Sequence, residues 1–273
     1  MKQFSQVLLV LLSLQLAHSM PAQSDTKPGA SESSSAGSTA SKLDPKALDI
    51  LKRMADYLAA APVFSYRSES NYDVVQPSGS KIEFGASRRT LVARPRHLRS
   101  DIQRRDGLRG QIVFDGSTIW AYEPDENVFA QASQPGGLDE SLLFAVTELH
   151  IKTPLIDMLS AEFYSRLTDK LIGAHDLGEK VVEGVVCDHL LMRNDYADIQ
   201  LWISSGDEPL LQRVVITYRE EEGQPQYRAR LLEWDLSPEY KKDSIRFEPP
   251  EGAERIRFYV QDADQGLHQE DES

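Results

Sequence analysis

Arginine is concentrated in one short stretch of this acidic chain, which makes that stretch a candidate for recognising an anion. Eight arginines lie between residues 88 and 109 and only two acids interrupt them, although the 273-residue chain carries a formal net charge of −13. Arginines clustered in this way could contact an anionic lipid headgroup, a polyanionic glycan or an acidic partner. Alternatively, strand alternation divides them between two faces, where they pair with the abundant Asp and Glu. The residues proposed for anionic head or partner contact are Arg88, Arg94, Arg96 and Arg99.

A nucleophile, an acid and a base adjoin once in the chain, at Cys187, Asp188 and His189. On a strand, Cys187 and His189 point to the same face and Asp188 to the opposite one. Residues two apart on a strand have Cα atoms nearly ~7 Å apart, which is too far for a nucleophile and its base without further adjustment. Free cysteine is among the most buried residue types. We therefore interpret Cys187 as a core or cavity residue, and a hydrolase is the least favoured hypothesis.

Sequence motifs for metal, nucleotide or hydrolytic chemistry do not occur in this chain. It has one cysteine and six histidines, and it lacks HExxH, GxSxG, GxxxxGK[ST] and GxGxxG. A single cysteine excludes an intramolecular disulfide and any multi-cysteine metal site. The acidic charge makes the chain a poor general nucleic-acid binder. We therefore predict no enzymatic activity, no catalytic residue, no metal, no cofactor and no nucleic-acid partner.

Helical and strand patterns alternate in blocks along the middle of the chain. Asp44, Pro45 and Pro62 delimit a first helix with one apolar stripe. Helical spacing returns over 139–150 and 154–167. Alternation of apolar and polar residues predicts strands over 64–74, 81–94, 96–105, 109–115, 118–123, 178–182, 185–193, 198–204, 210–219 and 226–235.

This order of elements predicts an α+β fold. Consecutive strands joined by short turns pair antiparallel, and Asp115-Gly116 is the strongest hairpin signal. Several strands exceed the usual length, which favours a large curved antiparallel sheet or barrel. Such a sheet, covered by helices, leaves room for an apolar ligand. The residues predicted to line this hydrophobic cavity are Phe114, Trp120, Tyr122, Leu143, Val146, Leu155, Leu159 and Trp202.

The two ends of the chain have the composition of segments outside a folded core. Residues 1–22 read as a secretory signal peptide, cut after Ser19 or Ala22. Its apolar run is too short to cross a bilayer, so we predict export, a protein that is soluble in the periplasm after cleavage, and no stable membrane span. The remaining predicted segments are a disordered Ser/Ala/Gly-rich linker at 23–42, a single domain at 43–260 and an acidic disordered tail at 261–273.

Several segments together resemble the bacterial domain-of-unknown-function 2092 family, whose members are described as predicted periplasmic proteins. The segments include LVARPRHLRSDIQ, FDGSTIWAYEP, TPLIDMLS and GVVCDHLLMRNDYADIQLWISSGDEPLLQRVVITYR, and the resemblance extends from about Leu43 to Trp234. That family is related to the LolA/LolB-like group of periplasmic lipoprotein carriers. The resemblance implies an unclosed antiparallel β-barrel, covered by helices on its open side, that encloses a hydrophobic cavity. Fold alone does not assign a function.

The leading hypothesis is a non-enzymatic periplasmic carrier or sensor that binds a lipid, an acyl chain or a lipoprotein anchor in a half-barrel cavity. Some arginines of 88–99 would then meet an anionic head at the cavity mouth. The alternative is an envelope protein-interaction module, which would use the arginine-rich sheet surface against an acidic protein partner. The first hypothesis predicts that the purified protein carries extractable lipid, whereas the alternative predicts strongly salt-dependent partner binding that needs no lipid.

Overall fold

The computed structural model describes residues 43–149, 151, 153–241 and 245–258. The predicted signal peptide, linker and acidic tail lie outside the described residues. The helices are α1 (Pro45–Ala60), α2 (Leu138–Thr147) and α3 (Phe163–Thr168), with a 3₁₀ helix at Ile156–Leu159. The strands are β1 (Val63–Val75), β2 (Lys81–Ala93), β3 (His97–Arg104), β4 (Arg109–Phe114), β5 (Thr118–Glu123), β6 (Val128–Ser133), β7 (Gly173–Val182), β8 (Val185–Arg193), β9 (Ala197–Ser204), β10 (Leu211–Tyr218), β11 (Gln226–Asp235) and β12 (Glu254–Arg255).

One sheet contains all twelve strands of the described ranges, in the order β12-β6-β5-β4-β3-β2-β1-β11-β10-β9-β8-β7. Neighbouring strands are antiparallel, except that β12 runs parallel to β6. Because β12 and β7 lie at opposite ends of this order, the sheet does not close into a barrel. The predicted α+β fold, a large unclosed antiparallel sheet covered by helices, is confirmed.

Helix α1 begins where the sequence predicts and packs on what is called here the inner face of the sheet, the face that carries the helices. The Asp44 carboxylate accepts a hydrogen bond from the Lys46 N–H at 2.9 Å. Pro45 fits the first turn, where its missing N–H is not needed. One stripe of the helix is buried in the main core and comprises Ala47, Ile50, Leu51, Met54, Ala55 and Leu58.

Helix α2 forms where predicted, but it turns a different face to the core. The predicted apolar side contained Leu143 and Val146, whereas these side chains are 48% and 38% exposed. The buried residues of α2 are Leu138, Ser141, Leu142 and Ala145. Because the helix is apolar on nearly all sides, the sequence allows either of two apolar stripes to be buried. The stripe that packs is the one that faces the sheet.

The second predicted helical piece, over 154–167, is divided into two short helices. Leu155 has a left-handed backbone conformation (φ +70°) that precedes the 3₁₀ helix, and Ser160 is extended. Helix α3 then begins at Phe163. Of the helices in the described ranges, none has the length and hydropathy that a membrane crossing requires.

The outer face of the sheet, opposite to the helices, carries a second apolar cluster that the sequence pattern did not predict. Described residues between Tyr240 and Ala253 pack on this face, and β12, which follows them, pairs with β6. We call the buried group there the outer cluster. It consists of Ala93, Val113, Phe129, Ile245 and Phe247.

Ion pairs join neighbouring strands elsewhere on the outer face, and one of them gives a pH-dependent prediction. The Arg228 guanidinium hydrogen-bonds both oxygens of Asp73, and this lowers the pKa of that carboxyl. The Gln226 N–H also donates to Asp73, at 3.0 Å. The pair therefore stabilises the fold above the unfolded pKa of Asp, ~3.9, and its contribution is lost as pH falls through the lower folded value.

We expect Asp73→Asn to reduce the free energy of unfolding by ~1–3 kcal/mol at pH 7, because hydrogen bonds to a charged group are lost. The difference from wild type should shrink as pH falls below about 4. Urea unfolding at pH 7 and pH 3 measures both values. Asp207→Asn, at an exposed turn residue, is the control and should change stability by less than ~0.5 kcal/mol. An Asp73→Asn deficit that is equal at both pH values would contradict the assignment.

Candidate ligand cavity

A cavity of about 80 Å³ lies between the inner face of the sheet and the segment that follows β6. We call the described residues of 138–159 the helical cover; they comprise α2, the connection after it and the 3₁₀ helix. The floor of the cavity is formed by β1 to β5 and β11. The lining has an apolar wall, to which the strands and the cover both contribute, and a polar wall formed by the strands.

One wall of the cavity is apolar. Antiparallel pairing places Phe114 of β4 opposite Ile119 of β5, so that alternate residues of both strands reach the inner face. The sheet contributes Leu98, Ile102, Ile112, Phe114 and Ile119 to this wall. The helical cover contributes Leu138, Leu142, Ala145, Ile151, Pro154, Leu155, Ile156 and Leu159.

The other wall is polar and crosses the middle of the sheet. Tyr66 of β1 pairs with Thr90 of β2, which pairs with Ser100 of β3. The hydroxyls of Thr90 and Ser100 lie 3.2 Å apart. Burial raises the pKa of Tyr66 to about 12, so its phenol stays neutral. Ser68, Arg88 and Tyr227 complete this wall.

Most members of the polar wall were not predicted as site residues. A signal for them is present in the sequence, because Tyr66 and Ser68 share the alternation of the buried Phe64. Polar residues on the buried face of a strand require partners or line a cavity. The alternation alone does not distinguish these two cases.

The helical cover contacts the sheet through a half-buried arginine. Arg94 donates a hydrogen bond from Nη2 to the Leu159 carbonyl at 2.9 Å, and its guanidinium lies over the Phe64 ring. Burial lowers the pKa of Arg94. Leu155, in the same cover, holds a backbone conformation that costs a non-glycine residue ~1–2 kcal/mol.

Four of the twelve predicted site residues line the cavity. Phe114 comes from the sheet, and Leu155 and Leu159 come from the cover. Arg88 also reaches it, from the inner face of β2. The structure therefore brings three of the predicted apolar residues and one of the predicted arginines to one site.

The structure places the remaining aromatic and aliphatic candidates elsewhere. Trp120 and Tyr122 pack against Phe247 of the outer cluster, each with ring centroids 5.3 Å apart. Trp202 stacks on His189, with centroids 4.2 Å apart. These aromatics lie on the outer face because they alternate with the inner residues of their own strands. Two further candidates, Leu143 and Val146, lie on the exposed side of α2.

The other arginine candidates do not meet Arg88 in the cavity. Arg94 lies beneath the 3₁₀ helix, and Arg96 lies beside Gly116 in the connection between β2 and β3. Arg99 points to the outer face, where it pairs with Asp101 at 2.9 Å. The alternative in which strand alternation divides the arginines between two faces therefore describes this stretch.

Cys187 and His189 point to the same face of β8, as predicted, and this is the outer face. The surroundings of each side chain indicate a structural role. The Cys187 side chain is fully buried, and burial raises the pKa of its thiol. The His189 Nε2 atom lies 3.1 Å from Gln200 Oε1. A raised thiol pKa disfavours the nucleophilic thiolate. Within the described ranges, no group of three His, Cys, Asp or Glu side chains could hold a metal ion.

We expect the thiol of Cys187 to be alkylated slowly by iodoacetamide in the native protein and rapidly in urea. The thiolate is the reactive form, and burial both hides it and raises its pKa. Intact-mass spectrometry follows the reaction. Adding the alkylating reagent in urea at a denaturing concentration is the control for reactivity. Rapid alkylation under native conditions at neutral pH would instead indicate an activated cysteine.

A family model described as "Predicted periplasmic protein (DUF2092)" matches residues 47–259. The match covers the sheet from β1 to β12, most of α1 and the helical cover. Among curated proteins, none matches this chain by sequence.

Several solved structures are similar to this chain. An uncharacterized conserved protein from Thermus thermophilus has 13% identity and a TM-score of 0.47, with 78% of this chain and 99% of that chain covered. Lipoprotein LppX from Mycobacterium tuberculosis has 12% identity and a TM-score of 0.43, with 72% and 98% covered. A LolA superfamily protein from Nitrosomonas europaea has 12% identity and a TM-score of 0.35, with 74% and 97% covered.

Proposed function

Because this chain belongs to the DUF2092 family of predicted periplasmic proteins, as its sequence resemblance predicts, we propose that it is a non-enzymatic protein that binds a hydrophobic ligand in the periplasm. The ligand class is a lipid, an acyl chain or a lipoprotein anchor. The predicted leader at residues 1–22 would direct the export. The ligand would lie in the cavity between the sheet and the helical cover.

The observation that carries this proposal is the apolar wall of the cavity. Five side chains of the sheet and eight residues of the cover line one space, and an apolar lining of this kind suits a hydrophobic ligand. Each methylene of a ligand that enters this space contributes ~0.8 kcal/mol. A chain of ten carbons would gain ~8 kcal/mol before ordering costs, which is enough for micromolar binding at best.

The size of the cavity supports the proposal that loading involves movement of the cover. An apolar cavity of ~150 Å³ holds one benzene molecule, whereas this cavity measures about 80 Å³. An acyl chain of ten carbons is larger than benzene, so we propose that the cover moves away from the sheet when such a chain enters. The strained Leu155 backbone lies in this cover and supports a second arrangement of it, because strain of this kind is relieved when the segment rearranges.

The protein-interaction alternative lacks a comparable observation. Five arginines of the stretch form ion pairs within the chain, and one of them, Arg99, is among the four residues predicted for partner contact. The pairs are Arg89–Glu233, Arg99–Asp101, Arg104–Asp106, Arg105–Glu83 and Arg109–Asp125. An envelope protein partner stays a prediction without an assigned surface.

Native mass spectrometry tests the proposed function. The full chain is expressed with its leader, purified from the periplasm without detergent, and weighed before and after organic extraction. We expect discrete adducts in the mass range of lipids or acyl chains, which extraction removes. The extracted protein should then bind added dodecanol in a calorimetric titration. An adduct-free mass together with no uptake of dodecanol would contradict the proposal.

A further inference from the structure

Arg88 differs from the arginines around it because it points into the cavity. It lies on the inner face of β2, where it pairs with Ser68 of β1 on one side and with Ile102 of β3 on the other. Its side chain is half-buried. Its Nε atom is buried and has no hydrogen-bond partner among the described residues.

A carboxylate partner for Arg88 is missing from the part of the chain that the structure describes. Two other arginines of the stretch have such partners, Arg89 with Glu233 and Arg99 with Asp101, and Arg94 donates to the Leu159 carbonyl. Arg88 instead faces neutral groups, among them the phenols of Tyr66 and Tyr227. The positive charge of Arg88 lowers the pKa values of these phenols, but burial raises them by more. An unpaired guanidinium in such a place is costly unless an anion joins it.

The groups around Arg88 suit an anion. Ser68, Thr90 and Ser100 are hydroxyls of the same wall, and each can donate a hydrogen bond. A guanidinium binds a carboxylate or a phosphate through two parallel hydrogen bonds, which are about twice as strong as those between neutral groups. The apolar wall opposite is suited to a hydrocarbon chain.

We propose that the cavity selects a long-chain acid, with its carboxylate or phosphate headgroup on Arg88 and its hydrocarbon chain against the apolar wall under the helical cover. This inference rests on the proposed function and specifies its ligand. The headgroup lies on the polar wall formed by Tyr66, Ser68, Thr90 and Ser100. A cationic headgroup is excluded by repulsion from Arg88, and a neutral one leaves Arg88 unpaired.

A series of twelve-carbon ligands tests this assignment in the wild-type protein. Dodecanoate, dodecyl phosphate, dodecanol and dodecyltrimethylammonium share one chain and differ in headgroup. Each is titrated into the extracted protein by calorimetry below its critical micelle concentration. We expect at least one acid to bind ~10-fold or more tightly than dodecanol, and the ammonium compound to bind most weakly. The stronger of the two acids distinguishes a carboxylate from a phosphate source.

Two neighbouring substitutions provide a matched pair. Arg88→Met removes the guanidinium and keeps a long apolar side chain, and it should reduce acid binding ~10-fold or more while dodecanol binding stays the same or improves. Arg89→Met removes the same charge from the outer face, where it pairs with Glu233, and should change neither affinity. Thermal unfolding of both variants checks that they fold.

The possible results separate this inference from the proposed function. Equal affinities of wild type for dodecanol and for both acids would overturn the role of Arg88 and leave hydrophobic binding intact. An acid preference that persists in folded Arg88→Met would do the same. Failure of wild type to bind any of the four ligands would overturn the proposed function and the inference together. If Arg88→Met does not fold, the headgroup series in wild type still decides.

Discussion

Ala145→Leu is expected to weaken ligand binding at least ~10-fold and to stabilise the ligand-free protein. Ala145 is buried in α2 and lines the cavity, and leucine adds three carbon atoms to a space of about 80 Å³. A side chain that excludes two or three ligand methylenes removes ~2 kcal/mol of burial, which is more than tenfold in affinity. Filling a cavity at the same time stabilises a fold by up to ~1 kcal/mol.

Val146→Leu is the matched control, because the next residue of the same helix is exposed. Its binding of dodecanol should equal that of wild type. Calorimetric titration and urea unfolding of the extracted proteins measure both effects. If Ala145→Leu bound dodecanol with wild-type affinity, the ligand would have to lie elsewhere than in this cavity.

Phe64→Ala should cost ~3–5 kcal/mol of unfolding free energy, the largest loss of stability among these predictions. Phe64 is fully buried on β1, and its ring lies 6.2 Å from that of Trp234. Truncation leaves a void between the sheet and the helices and removes the ring that lies under the Arg94 guanidinium. The measurement is urea unfolding at pH 7 in the absence of ligand.

Phe84→Ala makes the same chemical change at a position that is 39% exposed. It removes a stacked contact with Tyr72, whose ring centroid is 5.7 Å away, and should cost about 1 kcal/mol. Comparable losses in the two variants would show that burial on the inner face does not dominate the stability of this sheet.

Strand positions were largely predictable from the sequence. Thr118–Glu123, Val185–Arg193 and Gln226–Asp235 have the predicted bounds, because an antiparallel strand with two unlike faces alternates clearly and a turn residue follows it. The short strand Val128–Ser133 was missed. Strand β12 was also missed, since two residues paired at an edge carry no pattern.

Which face of an element meets the cavity was not predictable to the same extent. In α2, Leu142 and Leu143 are alike in sequence, and only packing against the sheet buries the first and exposes the second. For Trp120, alternation determines which residues of its strand share its face, but not which face of the sheet the helices cover. Phe247 decides this case, because it comes from a distant segment that covers the outer face.

Arg88 shows what sequence reasoning can and cannot do for the site. Its residue type predicted anion contact, and strand alternation predicted that it and Arg89 point to opposite faces. The sequence did not show which of the two arginines has an acidic partner in the folded chain. Glu233 reaches Arg89 from β11, a strand far away in sequence. That pairing depends on tertiary neighbours, and it distinguishes a surface arginine with an acidic partner from one that faces the cavity.

The two ends of the open sheet have a consequence for self-association. Free strand edges expose backbone N–H and C=O groups, to which another chain can add as a further strand and begin aggregation. One end here is β12, only two residues long. At the other end, the Asp44 N–H bonds to the Ala174 carbonyl at 2.9 Å, and an irregularity between Asp176 and Glu179 interrupts the pairing of β7.

The exposed Lys180 lies in the short stretch of β7 that follows this irregularity, and a charge at a sheet edge opposes strand addition. The short β12 and the interrupted, charged β7 therefore oppose strand addition at the two ends of the sheet, although the sheet does not close. Protection of this kind acts at each edge separately, so it does not require a barrel.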